Sequence, residues 1–152
     1  MTQNTKGEAK VTVQAFDELT TRELYEILKV RAAVFVVEQE IYYQDMDDID
    51  FRAVHIALWV DSQIVAYSRV YKDEAPGTWH IGRVLTTQRN KGYGLQVMKE
   101  AIKVARELGA AQVAIEAQSY AVGFYEKVGF KVCSDEFMLE GILHKRMRLQ
   151  MD

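Results

Sequence analysis

The sequence predicts a mixed α/β fold, and three features carry that prediction. Several short segments alternate apolar and polar residues with the period of a strand. Two or three others repeat their apolar residues at helical spacing. The order in which they come, β-α-(loop)-β-β-β-α-β-α-β-β, includes no linker rich in Pro, Gly or Ser. With 152 residues, 49% hydrophobic and one proline, the chain reads as one domain over residues 1–152 with enough apolar material for a core of its own.

Each element has its own local reason. Lys10 to Phe16 alternates Val11, Val13 and Ala15 with polar partners and reads as a half-buried strand. Thr20 stands three residues before Glu23, a capping-box spacing that starts a helix over about Thr21 to Val37. Its stripe is Leu24, Ile27, Leu28, Arg31, Val34 and Phe35. Glu38 to Asp50 has no clear period and reads as a loop or short helix. Arg52–Val60 and Gln63–Tyr71 form a hairpin about Asp61-Ser62, and Glu74 to Gly77 turns the chain into a third strand, Trp79 to Thr87. From Gly92 the period becomes helical through Val97, Met98, Ala101, Ile102, Ala105 and Leu108, and Gly109 suits the stop. A strand at Ala111–Ala117, a short helix at Ala121–Val128 ended by Gly129, and closing strands at Val132–Cys133 and Leu143–Gln150 complete the order.

Composition excludes several classes. No apolar run approaches the ~18 residues of a membrane-spanning helix. The polar opening MTQNTKGEAK lacks the apolar region of a signal peptide. The lone Cys133 cannot close an internal disulfide, which fits a reducing cytoplasm. It reads as a small core residue. The net charge of -3 conceals a skew: Glu38 to Asp50 carries six acids and no base, while the rest has 16 acids and 19 bases. That balance argues against a broad nucleic-acid face. The acid run would surround a cationic amine, although acid runs more commonly form solvated loops. His55, His80 and His144 lack metal-ligand spacing, so no metal is expected.

The turn Gln88 to Gly94 (QRNKGYG) sits between a strand and a helix. Its glycines let backbone amides approach an anion, the helix N-terminus adds unpaired N–H groups, and Arg89 and Lys91 add charge. A phosphate or pyrophosphate suits such a turn; a plain loop with solvated bases is the ordinary alternative. The common nucleotide motifs fail, because position 97 is Val97 rather than a third glycine and no G-x-x-x-x-G-K-[ST] occurs.

Arg89-x-x-Gly92-x-Gly94 resembles the acetyl-coenzyme A signature of the GNAT superfamily of N-acetyltransferases. FYEKVGF at Phe124 to Phe130 resembles its second motif. VFVVEQ at Val34 to Gln39, the acid run, His55 and the segment Gly141 to His144 resemble the ElaA-like branch. The resemblance implies a mixed, mostly antiparallel sheet flanked by helices, with a central parallel strand pair, Ile81–Thr86 beside Gln112–Ala117, splayed at its C-terminal ends. The pantetheine arm of acetyl-CoA would pair with Val84, Leu85 and Thr86. The pyrophosphate would rest on the amides of Arg89, Asn90, Lys91, Gly92, Tyr93, Gly94 and Leu95, and Phe124 and Tyr125 would flank the cofactor. Many members carry Asn where this chain has Gln118, whose longer amide could still reach the pantetheine or a water.

Acetyl transfer needs a neutral amine, a polarised thioester carbonyl and an acid for the departing thiolate. By resemblance Tyr125 is that acid, its phenol being protonated at neutral pH. A backbone N–H at a bulge near Val84 or Leu85 would polarise the carbonyl. Glu38, His55, Glu140 and His144 are candidate bases. Glu38 follows the apolar end of the first helix, where desolvation would favour a base; its structural alternative is an ion pair with Arg31 or Arg52. His55 sits in an apolar run and reads better as a buried structural residue; Glu38, Glu140 and His144 remain, with Glu38 and His144 first among them. The expected activity is acetyl-CoA-dependent transfer to a primary amine of a small molecule or peptide. A non-catalytic acyl-CoA-binding module is the alternative, and a nucleotide-binding α/β protein a weaker one. An exposed edge at Leu143–Gln150 would suit a homodimer.

Overall fold

A computed structural model describes residues 9–152. Strands β1 (Lys10–Ala15), β2 (Val54–Val60), β3 (Gln63–Lys72) and β4 (Thr78–Thr86) form an antiparallel meander. Strand β5 (Gln112–Gln118) joins β4 in parallel, β8 (Ile142–Gln150) pairs antiparallel to β5, and both β6 (Lys131–Val132) and β7 (Phe137–Leu139) pair with β8. The sheet order is β1-β2-β3-β4-β5-β8-β6, with β7 on β8 beyond that path. Strand β8 is therefore interior, flanked on both sides. The expected exposed edge at Leu143–Gln150 is not there, and with it goes the reason given for a homodimer.

Local chemistry accounts for the breaks between elements. Thr20 accepts from the Glu23 amide at 3.0 Å, and Glu23 accepts from the Thr20 amide at 2.8 Å, so the capping box closes and starts α1 (Thr21–Arg31). Beyond Arg31 the helix widens into π-type turns over Ala32–Glu38. Asp61 and Ser62 take φ of 50° and 67°, the left-handed pair that a two-residue hairpin requires. The sequence missed β7, which turns into β8 through Glu140 and Gly141, at φ of 50° and 77°.

Helix α2 (Tyr93–Glu107) lays Val97, Met98, Ala101, Ile102, Val104 and Ala105 on one face of the sheet. They meet Ile56, Leu58, Val70, Ile81, Val113, Ile115 and Met147 there. Each larger side chain so buried contributes on the order of 1.5–3 kcal/mol. Leu108, expected to end the stripe, is exposed. Helix α3 (Val122–Val128) packs on the same side and stops at Gly129, with φ of 114°. On the opposite face, Ile27 of α1 meets Ala57, Ile64, Tyr67 and Leu85. Cys133, expected in the core, is an exposed free thiol just past the two-residue β6, too short a strand to bury it.

Candidate active site

The parallel pair is closed at one end and open at the other. Only Thr78–Gln112, Trp79–Val113 and His80–Ala114 are in register, and past them β4 and β5 diverge. The closed end is fastened by the Gly77 carbonyl, which accepts from the amides of Ala111 at 2.8 Å and Gln112 at 3.2 Å. The Gln112 side chain adds a bond to the Thr78 hydroxyl at 2.7 Å. Gly77 has φ of 70°, and a Cβ there would lie 3.3 Å from that of Ala111, so both backbone and space call for glycine.

The divergence opens a cleft of about 770 Å³. It brings together Val84, Leu85 and Thr86 of β4, Gln118 of β5, Phe124 and Tyr125 of α3, and Arg89, Asn90, Gly92, Tyr93, Gly94 and Leu95 of the turn into α2. Glu38, Glu140 and His144 line it as well. Of the sequence candidates, Lys91 and His55 stand outside its walls. Lys91 is exposed on the outer side of the turn, so its side chain is not part of the cleft.

The turn reverses direction through left-handed Asn90 and Gly92, at φ of 61° and 77°. Gly92 is the N-cap of α2 and makes no side-chain cap bond, so the helix starts without a side-chain cap among residues that line the cleft. Such a terminus, fifteen residues of aligned peptide dipoles behind it, favours an anion. A Cβ at Gly94 would fall 3.3 Å from Thr86 Cγ2 and 3.6 Å from the Phe124 ring, so this glycine lets helix, strand and α3 close on one another.

Beside the turn, β4 bulges. Tyr67 faces Leu85 and Arg69 faces Gly82, which leaves Arg83 and Val84 opposite Ser68 alone. Arg83 takes φ of 52°, a left-handed conformation in a residue with a long side chain. The bulge contains Val84, one of the two residues near which the resemblance implied it.

Tyr125 packs edge-on against Phe124 and Phe130, with ring centroids 5.1 and 6.1 Å away. Burial raises its pKa, the nearby Tyr120 adding to the effect, so the phenol keeps its proton at neutral pH. His144 is buried, stacked on Phe137, and its Nδ1 lies 2.8 Å from the Ile142 carbonyl. In the neutral ring that contact puts the proton on Nδ1 and leaves Nε2 to accept. Glu38 is exposed rather than desolvated, and neither suggested partner holds it: Arg52 donates to the Lys72 carbonyl, and Arg31 is engaged elsewhere. Gln118 exchanges amide hydrogen bonds with Gln39 at 3.3 and 3.4 Å, a contact the sequence did not suggest. His55 is fully buried between the Tyr67 hydroxyl, 2.6 Å away, and the Asp50 carbonyl, 2.9 Å away, in the structural role expected of it.

Sequence reasoning missed the floor of the cleft. His80 stands there, stacked on Tyr71 at 4.9 Å, and Glu116 is nearby. Burial lowers the His80 pKa against the opposing pull of Glu116 and Asp73, which favours the neutral imidazole. The signal was the alternation of WHIGR, which puts His80 and Gly82 on one face of the strand.

The acid run also differs from expectation. Asp45, Asp47 and Asp50 do not present free carboxylates. Arg31, fully buried at the end of α1, reaches Asp45 at 2.9 Å and Asp50 at 2.7 Å. Arg69 of β3 reaches Asp47 at 2.6 Å and Asp50 at 3.0 Å. Arg83 reaches Asp45 at 2.8 Å. Burial alone would raise the Asp47 pKa; the Arg69 hydrogen bonds and the charges of Arg69 and Arg83 outweigh it and hold this carboxyl at about 2. Asp50 is lowered by the same competition, its burial opposed by Arg31 and Arg69. Arg31 and Arg69 on apolar faces were the legible sign, since a buried guanidinium needs acidic partners. Among the described residues, no group of His, Cys, Asp and Glu is arranged to hold a metal ion.

Comparisons with known proteins agree with this geometry. Residues 4–151 match the model of the acetyltransferase (GNAT) domain family. A UPF0039 protein of Schizosaccharomyces pombe is 36% identical over 141 residues, covering 90% of this chain and 93% of that protein. ElaA of Escherichia coli is 34% identical over 133 residues, covering 84% and 87%, and its crystal structure superposes with a TM-score of 0.87 over 93% of this chain and 99% of that one. An acyl-CoA N-acyltransferase of Pseudomonas aeruginosa superposes with a TM-score of 0.86 at 32% identity, covering 93% and 99%.

Proposed function

Because the chain belongs to the GNAT acetyltransferase family, acyl transfer from coenzyme A is the premise, and we propose that it moves an acetyl group from acetyl-CoA to a primary amine of a small molecule or peptide. The observation that carries this reading is the cleft between β4 and β5, with the uncapped start of α2 at one end and Tyr125 in its wall. The side of β4 turned away from β3 at Val84 to Thr86, past the end of its pairing with β5, suits the amide-bearing pantetheine arm, which would add there as a further strand. The amides from Arg89 to Leu95 suit the pyrophosphate, with the Arg89 side chain on the same wall.

In this reading both substrates are bound together. The Val84 N–H at the bulge donates to the thioester carbonyl as its oxygen gains charge. The neutral amine attacks the carbonyl carbon, the C–S bond breaks, the thiolate takes the Tyr125 proton, and the proton that the new amide nitrogen sheds restores the phenol. His144 suits the base that removes the ammonium proton, because the Ile142 carbonyl fixes its ring and leaves Nε2 free to accept. Glu38 is exposed at the same cleft and can help draw the cation in. The single free cysteine fits the cytoplasm.

Titration calorimetry with CoA, followed by thiol release from acetyl-CoA over a panel of amines, tests the proposal. Measurable CoA affinity and amine-dependent release are expected. No CoA affinity, or release indifferent to every amine, would overturn it. His144→Asn should lower kcat/KM for the amine and leave CoA affinity unchanged.

A further inference from the structure

Three of the six acids in the run, Asp45, Asp47 and Asp50, are bound to three arginines, so these carboxylates bring little free charge to a cationic substrate. Its geometry suits another task. Arg83 sits in the β4 bulge at φ of 52°, a conformation that is strained for a non-glycine residue and persists only where something holds it. The Arg83 side chain leaves the sheet and grips the loop at two points. Nε donates to Asp45 Oδ1 at 2.8 Å, and Nη2 donates to the Asp45 main-chain carbonyl at 2.9 Å. A longer contact of 3.4 Å runs to Asp47. The guanidinium also lies over the Tyr43 ring, 5.6 Å from its centre, and the Tyr43 hydroxyl donates to Asp45 at 3.2 Å.

Asp45 is itself immobilised. Arg31 Nε donates to its other carboxylate oxygen at 2.9 Å, and Arg31 Nη2 reaches its carbonyl at 3.3 Å. Arg31 also holds Asp50, which Arg69 holds in turn, and Arg69 returns through Asp47 toward Arg83. The chain of bonds runs from the end of α1, through the loop and β3, to the one residue on which the bulge turns.

We propose that Arg83 is a positioning residue: clamped by Asp45, it holds the Arg83–Val84 bulge in the conformation that aims the Val84 N–H at the thioester carbonyl. The inference rests on the acetyl-transfer reading above and assigns the acid loop a part in it, as a brace. A donor displaced by even about 1 Å gives up much of its advantage in the transition state. Ground-state affinity for CoA comes from the strand and the turn and does not depend on the brace.

Arg83→Gly separates the two contributions. Glycine accepts a φ of 52° freely, so the bulge is allowed and no longer enforced. The expected result is a folded protein with CoA affinity and the KM for acetyl-CoA within about twofold of wild type, and kcat lower by roughly tenfold to a hundredfold. Infrared spectra of bound acetyl-CoA labelled with ¹³C at the carbonyl give the direct readout. The wild-type protein should lower the carbonyl stretching frequency, and Arg83→Gly should return it toward the value in water. Arg83→Lys keeps the charge with a single-point grip and should fall between the two in both measurements. It also carries the test if the glycine variant does not melt cooperatively. Wild-type turnover and carbonyl frequency in a folded Arg83→Gly or Arg83→Lys protein would overturn the brace. Because the infrared band needs only bound thioester, it tests the brace even for a protein that binds acetyl-CoA and acetylates no amine, an outcome that would instead overturn the proposed transfer.

Discussion

The two walls of the cleft are built from different materials. The wall toward α2 is made mostly of backbone: strand amides from Val84 to Thr86, a turn reversed by Asn90 and Gly92, and an uncapped helix start. The wall toward α1 is lined by side chains, among them Asp47, Arg69 and Arg83, which ion pairs behind the wall join to Arg31, Asp45 and Asp50. Backbone can present polar groups to a ligand without losing stability, because those groups are orphans of secondary structure in any case. Buried charges cannot, since every one left unpaired is costly. The first wall is therefore free to bind, while the second has its charges paired, with Arg69 Nε the one buried arginine N–H lacking a partner among the described residues, and is suited to hold geometry.

Changes to each wall should then fail in different ways. The largest effect is expected from Arg31→Ala, which strands Asp45 and Asp50 with fewer partners. A loss of about 3–5 kcal/mol is expected in urea denaturation. A variant as stable as wild type would mean that the side-chain wall is held by something else. Gly92→Val should act on affinity instead. No atom lies within 4 Å of a Cβ at that site, so the cost arises from φ of 77° and should distort the turn more than the core. About a tenfold loss in acetyl-CoA affinity by calorimetry, with a stability change of about 1–2 kcal/mol, is expected. Tyr125→Phe should lower kcat by about tenfold and leave CoA affinity near normal. Equal turnover across pH would remove this phenol from the chemistry.

Acid should dissolve the side-chain wall first. The Asp47 pKa is depressed from 3.8 to about 2 in the folded protein. Its contribution to stability is complete above the unfolded value and is lost as pH falls through the folded one. Melting temperatures should therefore decline between about pH 4 and 2, and Asp47→Asn should flatten that decline. The smallest expected effect is at the bulge. The Ser68 hydroxyl opposite it is buried with no hydrogen-bond partner among the described residues, so Ser68→Ala should be neutral or stabilise by up to about 1 kcal/mol.

This difference in material also explains what the sequence disclosed. The turn from Arg89 to Gly94, the capping box at Thr20 and the hairpin at Asp61-Ser62 are local, and their chemistry lies within a few neighbouring residues. Tyr125, His144 and Gln118 could be named as candidates, yet the Gln118 contact with Gln39 joins positions 79 residues apart. The arginine–aspartate network spans separations from 14 to 38 residues, which no periodicity encodes. The acid run was visible as charge, and its partners were not. The short β7 was missed because three residues carry too little pattern, and that omission made β8 look like an edge.

The fastening at Gly77 has a mechanical meaning. Four strands lie on one side of the cleft and four on the other, and between them only three residue pairs are in register. The opening is thus a notch cut into a sheet, with its tip at the pair His80–Ala114. Behind the tip, the doubly bonded Gly77 carbonyl works like the stop at the end of a zipper. A long molecule pushed into the notch can spread its mouth but cannot run the tear farther. The depth of the notch is consequently a fixed length of the protein, set by a glycine at the far end of the strand from its mouth.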